Sequence, residues 1–186
     1  CTDSKKIGNI IKKFNGKFKL TSKKHKNGTE RIAEVAKKLK KAKLIIDIQG
    51  DEPLLNPSDI DNLIKFHQKN IKKFDIVVPC IKGSNLDSKN IVKVLFNDHG
   101  KVLYLSRATV PFDFKNDNIN LYKHLSVISF KKESLLKFSK LKMSKYEKIE
   151  GVELLRAIEN DMSVGTFVSN SNSFAVDVKS DLEKAK

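Results

Sequence analysis

The stretch richest in possible chemistry is Gln49-Gly50-Asp51-Glu52, which follows the apolar run Leu44–Ile48 and precedes Pro53. Leu44–Ile48 has adjacent β-branched residues and turn signals beyond it, so it reads as a buried strand. An amide and two acids would then stand at the carboxyl edge of a sheet, where open α/β folds bind ligands. Asp51 is a candidate ligand for a hard cation such as Mg²⁺, which takes carboxylate oxygen. A polar turn whose acid caps the next helix fits the same four residues. A second acid, Asp177, ends the apolar run Phe174–Val176, far away in the chain. Arginine is rare among the many lysines, occurring only as Arg31, Arg107 and Arg156. Its planar, bidentate fork is one that lysine cannot copy.

The elements that must position these groups alternate. Helix patterns run from Ser4 to Phe14, from Gly28 to Leu39 behind an Asn27…Glu30 capping pattern, from Pro57 to about Lys72, from Glu133 to Phe138 and from Ile149 to Glu159. Strand patterns cover Lys17–Leu20, Leu44–Ile48, Asp75–Cys80, Lys123–Phe130, Met162–Val168 and Phe174–Asp177, with a terminal helix from Ser180. Ile91–Phe96 and Lys101–Ser106 read as a hairpin around Asn97-Asp98-His99-Gly100. The alternation predicts one α/β domain over residues 1–186: a Rossmann-like, mostly parallel sheet with helices on both faces and an inserted antiparallel hairpin region. Glu153 and Arg156 stand at i,i+3 and should pair.

Composition narrows the function classes. The chain has 186 residues and a formal net charge of +15. Its lysines are scattered along helix faces and turns, with no basic arm and no cluster of aromatics among them. That pattern describes a solvated basic surface rather than a nucleic-acid site. No apolar run reaches membrane-spanning length. Two cysteines, Cys1 and Cys80, make no disulfide framework, so a reducing cytoplasm is the expected compartment.

Three motifs in order carry a resemblance. Gln49-Gly50-Asp51-Glu52-Pro53 after an apolar strand is similar to the signature of the 3-deoxy-manno-octulosonate (Kdo) cytidylyltransferases. Asn27-Gly28-Thr29-Glu30-Arg31 resembles that family's Ser-Gly-Thr-Glu-Arg helix start, and Ser106-Arg107-Ala108-Thr109-Val110-Pro111 its Ser-Arg-Ala-x-x-Pro segment. The likeness runs from Cys1 to Lys186.

The resemblance implies transfer of a nucleotidyl group from CTP to the anomeric hydroxyl of Kdo, releasing pyrophosphate, with Mg²⁺ held by the catalytic pair Asp51 and Asp177. It implies that Asn27, Gly28, Thr29 and Arg31 bind the nucleotide, and that Gln49, Arg107, His124, Glu150 and Glu153 face the 3-deoxy-ulosonic sugar acid. A homodimer formed through the hairpin region is expected too. The opening Cys1-Thr2-Asp3-Ser4 matches a point after the family's second strand. The sequence therefore reads as a domain lacking an N-terminal phosphate-loop unit, and that would leave this length of chain inactive.

Two positions depart from the family pattern. Leu154 stands where an amide is usual and Ile128 where a tyrosine is usual. A sialic-acid-like sugar is thus an alternative substrate. A non-catalytic domain of the same fold, binding a polyanion or a protein partner, is the alternative from a different class.

Overall fold

Strand β2 (Ile76–Gly83) is buried over six consecutive residues from Ile76 to Ile81, as a strand must be when both faces of its sheet are covered. In a computed structural model, which describes residues 1–50, 54–83, 86–115, 119–170, 176 and 183, β2 lies at the centre of a seven-stranded sheet. Its alternate residues point to opposite faces. Ile76, Val78 and Cys80 join a core with Ile45, Ile128, Phe130 and Leu155. Val77 and Ile81 join Leu63, Phe74 and Val127 on the other side.

The chain order is α1 (Lys5–Lys13), α2 (Gly28–Ala36), β1 (Leu44–Ile48), α3 (Pro57–Lys69), β2, β3 (Lys93–Phe96), β4 (Val102–Ser106), β5 (Leu121–His124), β6 (Val127–Lys131), α4 (Lys132–Phe138), α5 (Lys145–Glu150), α6 (Leu155–Glu159) and β7 (Val164–Val168). Helix α3 covers the second core, where Leu63 is fully buried, and α2, α4 and α6 cover the first. The α/β class is as the sequence predicts. The sheet order is β1-β6-β2-β5-β3-β4, with β7 on the other edge of β2.

The mostly parallel sheet is not what the described strands form. Only β2 and β7 pair in parallel; every other pair of named strands is antiparallel. The reason is order rather than direction. β1, β2 and β7 run the same way, as helical crossovers require, but β6 is interleaved between β1 and β2 and runs against both. Alternation along a sequence fixes the sense of each strand, not its neighbour. The hairpin is antiparallel as expected, and its turn folds back on β7, where Thr166 N donates to Gly100 O at 2.8 Å. Gly100 suits that approach, since a Cβ there would stand 2.9 Å from Thr166 O, while on β7 itself Gly165 leaves room for the Phe74 ring.

Two expected elements are each split. The strand over Lys123–Phe130 is broken at Leu125-Ser126, where Leu125 N turns to Pro79 O. The helix over Ile149–Glu159 is two short helices. Gly151 caps α5 in the left-handed region (φ 62°), a conformation glycine adopts without Cβ strain, and α6 starts afresh at Leu155. The expected strand at Lys17–Leu20 is reduced to a single bridge from Leu20 to Thr2. The strand Phe174–Asp177 and the terminal helix lie outside the described residues, save Val176 and Glu183.

Candidate functional site

The start of α2 is capped locally. Asn27 Oδ1 accepts from Glu30 N (2.8 Å), and Glu30 Oε2 accepts from Lys26 N (2.9 Å). Gly28 opens the helix on clear space, with no atom within 4 Å of where a Cβ would stand. Thr29 turns inward and donates from Oγ1 to Glu153 Oε2 at 2.7 Å, joining positions 124 residues apart. Helix starts of this kind present unpaired N–H groups suited to an anionic or polar ligand.

Glu153 sits in the turn between α5 and α6 and also accepts from Arg156 Nη2 (3.1 Å), so the expected i,i+3 pair forms across a broken helix. Arg156 in turn grips Glu147 with two bonds, Nε to Oε2 at 2.9 Å and Nη2 to Oε1 at 2.6 Å. Both side chains are almost wholly buried, and the guanidinium lies 4.8 Å from the Phe138 ring centroid. Burial, together with repulsion from Glu147, raises the Glu153 pKa against the pull of Thr29 and Arg156.

Asp47, which sequence reasoning passed over, completes this group. It points to the same face of β1 as Ile45, is buried, and has a pKa pushed up to about 6 by burial first and by Glu153 second. The available signal was its parity: an acid at an inward position of an otherwise apolar strand.

Gln49 lies just past β1, with its N–H on Ser126 O (3.2 Å) and its side chain exposed. Two residues from Ser126, His124 ends β5 opposite Cys80, and its backbone N donates to Val92 O (2.8 Å). Arg107 and Glu150 clamp each other. Glu150 accepts from Ser106 Oγ (2.7 Å) and Arg107 N (2.8 Å), while Arg107 Nε donates to Glu150 O (2.8 Å). The rest of the Arg107 fork meets Lys89 O, Asn90 O and Gly151 O.

The structure therefore brings Thr29, Glu153 and Asp47 together. It places Gln49 and His124 on either side of Ser126 and joins Arg107 to Glu150. Arg31 lies apart from these groups. Its guanidinium is bound to Asp3, Thr21 and Ser22, and so holds the first segment of the chain against α2. Asp51 and Asp177 lie outside the described residues. Among the described residues no group of three or more His, Cys, Asp or Glu side chains is arranged to hold a metal.

Comparison with known proteins matches this arrangement to one family. A model of the cytidylyltransferases covers residues 1–164. The 3-deoxy-manno-octulosonate cytidylyltransferase of Leptospira interrogans (serovar Lai) is 35% identical over 185 residues, 98% of this chain and 74% of the relative. That of Thermodesulfovibrio yellowstonii is 36% identical over 201 residues, 100% of this chain and 78% of the relative.

The chain belongs to the Kdo cytidylyltransferase family.

A solved CMP:2-keto-3-deoxy-manno-octonic acid synthetase complexed with CTP superposes with a TM-score of 0.92 at 28% identity, over 98% of this chain and 76% of that one. Against the family pattern, the two departures take on a different meaning. Leu154 and Ile128 are core residues, 3% and 4% exposed and packed in the cluster with Ile45 and Leu155. In this cytidylyltransferase both side chains pack in the core rather than standing on an open surface.

Proposed function

We propose that this chain transfers a cytidylyl group from CTP to Kdo. The anomeric hydroxyl of the sugar attacks the α-phosphorus, the new O–P bond forms as the bond to the β-phosphate oxygen breaks, and pyrophosphate leaves in line. The hydroxyl proton passes to solvent or to a carboxylate. The observation that carries the reading is the likeness to Kdo cytidylyltransferases over nearly the whole chain.

The residues divide the work. Asn27, Gly28 and Thr29 offer the open start of α2 to the nucleotide. Gln49, His124, Arg107, Glu150 and Glu153 form the sugar side, where Gln49 both donates and accepts toward hydroxyls. Arg107 supplies positive charge and its remaining Nη2 N–H to the sugar carboxylate. Arg31 supports the nucleotide side by anchoring the Cys1–Ser22 segment. Asp51 and Asp177 supply carboxylate oxygen, the donor a hard cation takes. Mg²⁺ bound there would neutralise charge on the phosphates.

No described helix is long and apolar enough to cross a membrane. We place the reaction in the cytoplasm, ahead of lipopolysaccharide or other surface-glycan synthesis. A homodimer accounts for the exposed apolar groups around the last strand of the sheet order, β4. Leu103 on β4 is 53% exposed, and Phe112 and Phe114 just beyond it are 83% and 84% exposed.

The test is direct. In a chain carrying the family's phosphate-loop unit, CTP, Mg²⁺ and Kdo should yield CMP-Kdo with stoichiometric pyrophosphate, and no pyrophosphate release from that protein with Kdo at saturating CTP would reject the reading. Sedimentation velocity decides the dimer, with a monomer at micromolar concentration counting against it.

A further inference from the structure

Lys93 has no exposed surface at all, yet it is a lysine. Lysine is almost never fully buried unless paired. Among the described residues its ammonium has no carboxylate within ion-pair distance. Its three donors instead go to three backbone carbonyls: Ser88 O at 3.0 Å, Ile91 O at 2.8 Å and Arg107 O at 2.5 Å. Burial, helped by repulsion from Arg107, lowers its pKa. For stability alone an apolar side chain would serve as well, because removing an ammonium from water is costly.

What the charge does is visible in the turn beside it. Lys93 takes the carbonyls of Ser88 and Ile91, and Arg107 Nη1 takes the two between them, Lys89 (2.9 Å) and Asn90 (3.4 Å). All four carbonyls of the turn are held by two cations, and the third bond of Lys93 fixes the backbone of the second cation. Asp87, just before the turn, accepts from Thr109 Oγ1 (3.0 Å), beyond Arg107. Val92, just after it, accepts from the N–H of His124.

We propose that Lys93 is a positioning residue for the sugar half of the site: it locks the Ser88–Ile91 turn, and through it Arg107, Glu150 and His124, into one rigid unit. The inference rests on the proposed reaction only for the name of the ligand. The start of α2 is not tied to this unit by any bond of Lys93, so the nucleotide half should not depend on it.

The experiment measures KM for CTP and for Kdo separately, in the intact protein, for wild type, Lys93→Met and Asp87→Ala. Asp87→Ala loosens the same turn from its exposed side and should fold whatever Lys93→Met does. Small misplacements of substrate-holding groups cost large factors, so KM for Kdo should rise roughly tenfold in Lys93→Met and about threefold in Asp87→Ala, with KM for CTP within about twofold. An unchanged KM for Kdo in the variants that fold would overturn the proposal. So would a parallel rise for CTP, which is what a merely structural lysine would give. If wild type shows no turnover with CTP and Kdo, the proposed reaction fails and amide exchange decides the lock by itself. Faster exchange in residues 88–92 and at Arg107 in either variant, with residues 28–31 unchanged, supports it, and uniform or unchanged exchange overturns it.

Discussion

The two halves of the site are built in opposite ways. The start of α2 depends on neighbours in sequence: Asn27 caps Glu30 N, Glu30 reaches back to Lys26 N, and Gly28 leaves the approach open. The Thr29–Glu153 bond ties it to the turn before α6, and the Arg31–Asp3 bond ties it to the first segment of the chain. The Arg107–Glu150 side has almost no local bonding. Its hydrogen bonds join β4, the turn before β3 and the end of α5, across 14 to 44 residues. A locally capped helix start can shift without disturbing a core and suits a ligand that must enter and leave. A cross-linked cluster whose donors are nearly all committed holds one geometry and suits the discrimination of one sugar from its relatives, where an unpaired polar group is penalised.

The largest effect should come from Asp51, the proposed ligand for Mg²⁺. If it holds the cation, Asp51→Asn exchanges a charged oxygen for an amide and should lower kcat roughly a hundredfold or more without shifting the melting temperature much. Steady-state rates across a Mg²⁺ titration check it, and near-wild-type kcat at saturating Mg²⁺ would make Asp51 a turn acid only.

Arg156 is the structural joint between the halves. It reaches α2 through Glu153 and Thr29, and it reaches α5, which ends at Glu150, through Glu147. Arg156→Met would leave the buried Glu147 carboxylate without its cation and should cost about 3–5 kcal/mol. The double change Glu147→Leu with Arg156→Met should recover most of that loss, because it removes the stranded charge as well. Urea denaturation of the three proteins tests this. Equal stability of the single and double variants would mean the pair is not coupled.

Asp47 tests the buried charges beside Glu153 by pH. Its folded-state pKa is raised to about 6, above the ordinary carboxyl value, so the native state holds the extra proton. Stability therefore falls as pH rises from about 4 to 6 and stays reduced above that. Asp47→Asn cannot ionise, so it should be more stable than wild type by about 3 kcal/mol at pH 7.5 and equal to it near pH 4. Thermal melts at both pH values check the sign. A variant less stable at pH 7.5 would show that the charged form has a favourable partner.

The same contrast explains what was legible in the sequence. Leu44–Ile48, the α2 start and the hairpin are local patterns, and each could be read from spacing. So could the Glu153–Arg156 pair, although the helix that should have carried it is broken at Gly151. A glycine within a helical pattern can be tolerated or can cap, and only the packing of Leu154 and Leu155 decides which. The insertion of β6 beside β1 could not be read, because strand order is a long-range outcome. Neither could the roles of Lys93 and Asp47. A lysine among so many carries no signal of burial, and Asp47 showed itself only through strand parity. Arg31 is expected at the nucleotide through the resemblance of its motif, and nothing in the sequence signals its bonds to Asp3, Thr21 and Ser22.

The smallest expected effect sharpens the comparison most. Asn27→Ala removes the acceptor for Glu30 N while leaving Glu30 free to bond Lys26 N. Loss of an N-cap of this type costs about 1 kcal/mol. Because the cap is local, the cost should stay local. The start of α2 would fray, KM for CTP should rise a few-fold, and KM for Kdo should hold, since no bond of Arg107 or Glu150 passes through Asn27. Asn27→Asp keeps the acceptor, adds a negative charge that the helix N-terminus favours and should restore the stability. Yet that same charge repels a triphosphate, so KM for CTP should remain raised. If Asn27→Asp restores both stability and CTP binding, the helix start acts only as a cap. If Asn27→Ala raises KM for Kdo as much as KM for CTP, the two halves are one rigid unit and the contrast between them fails.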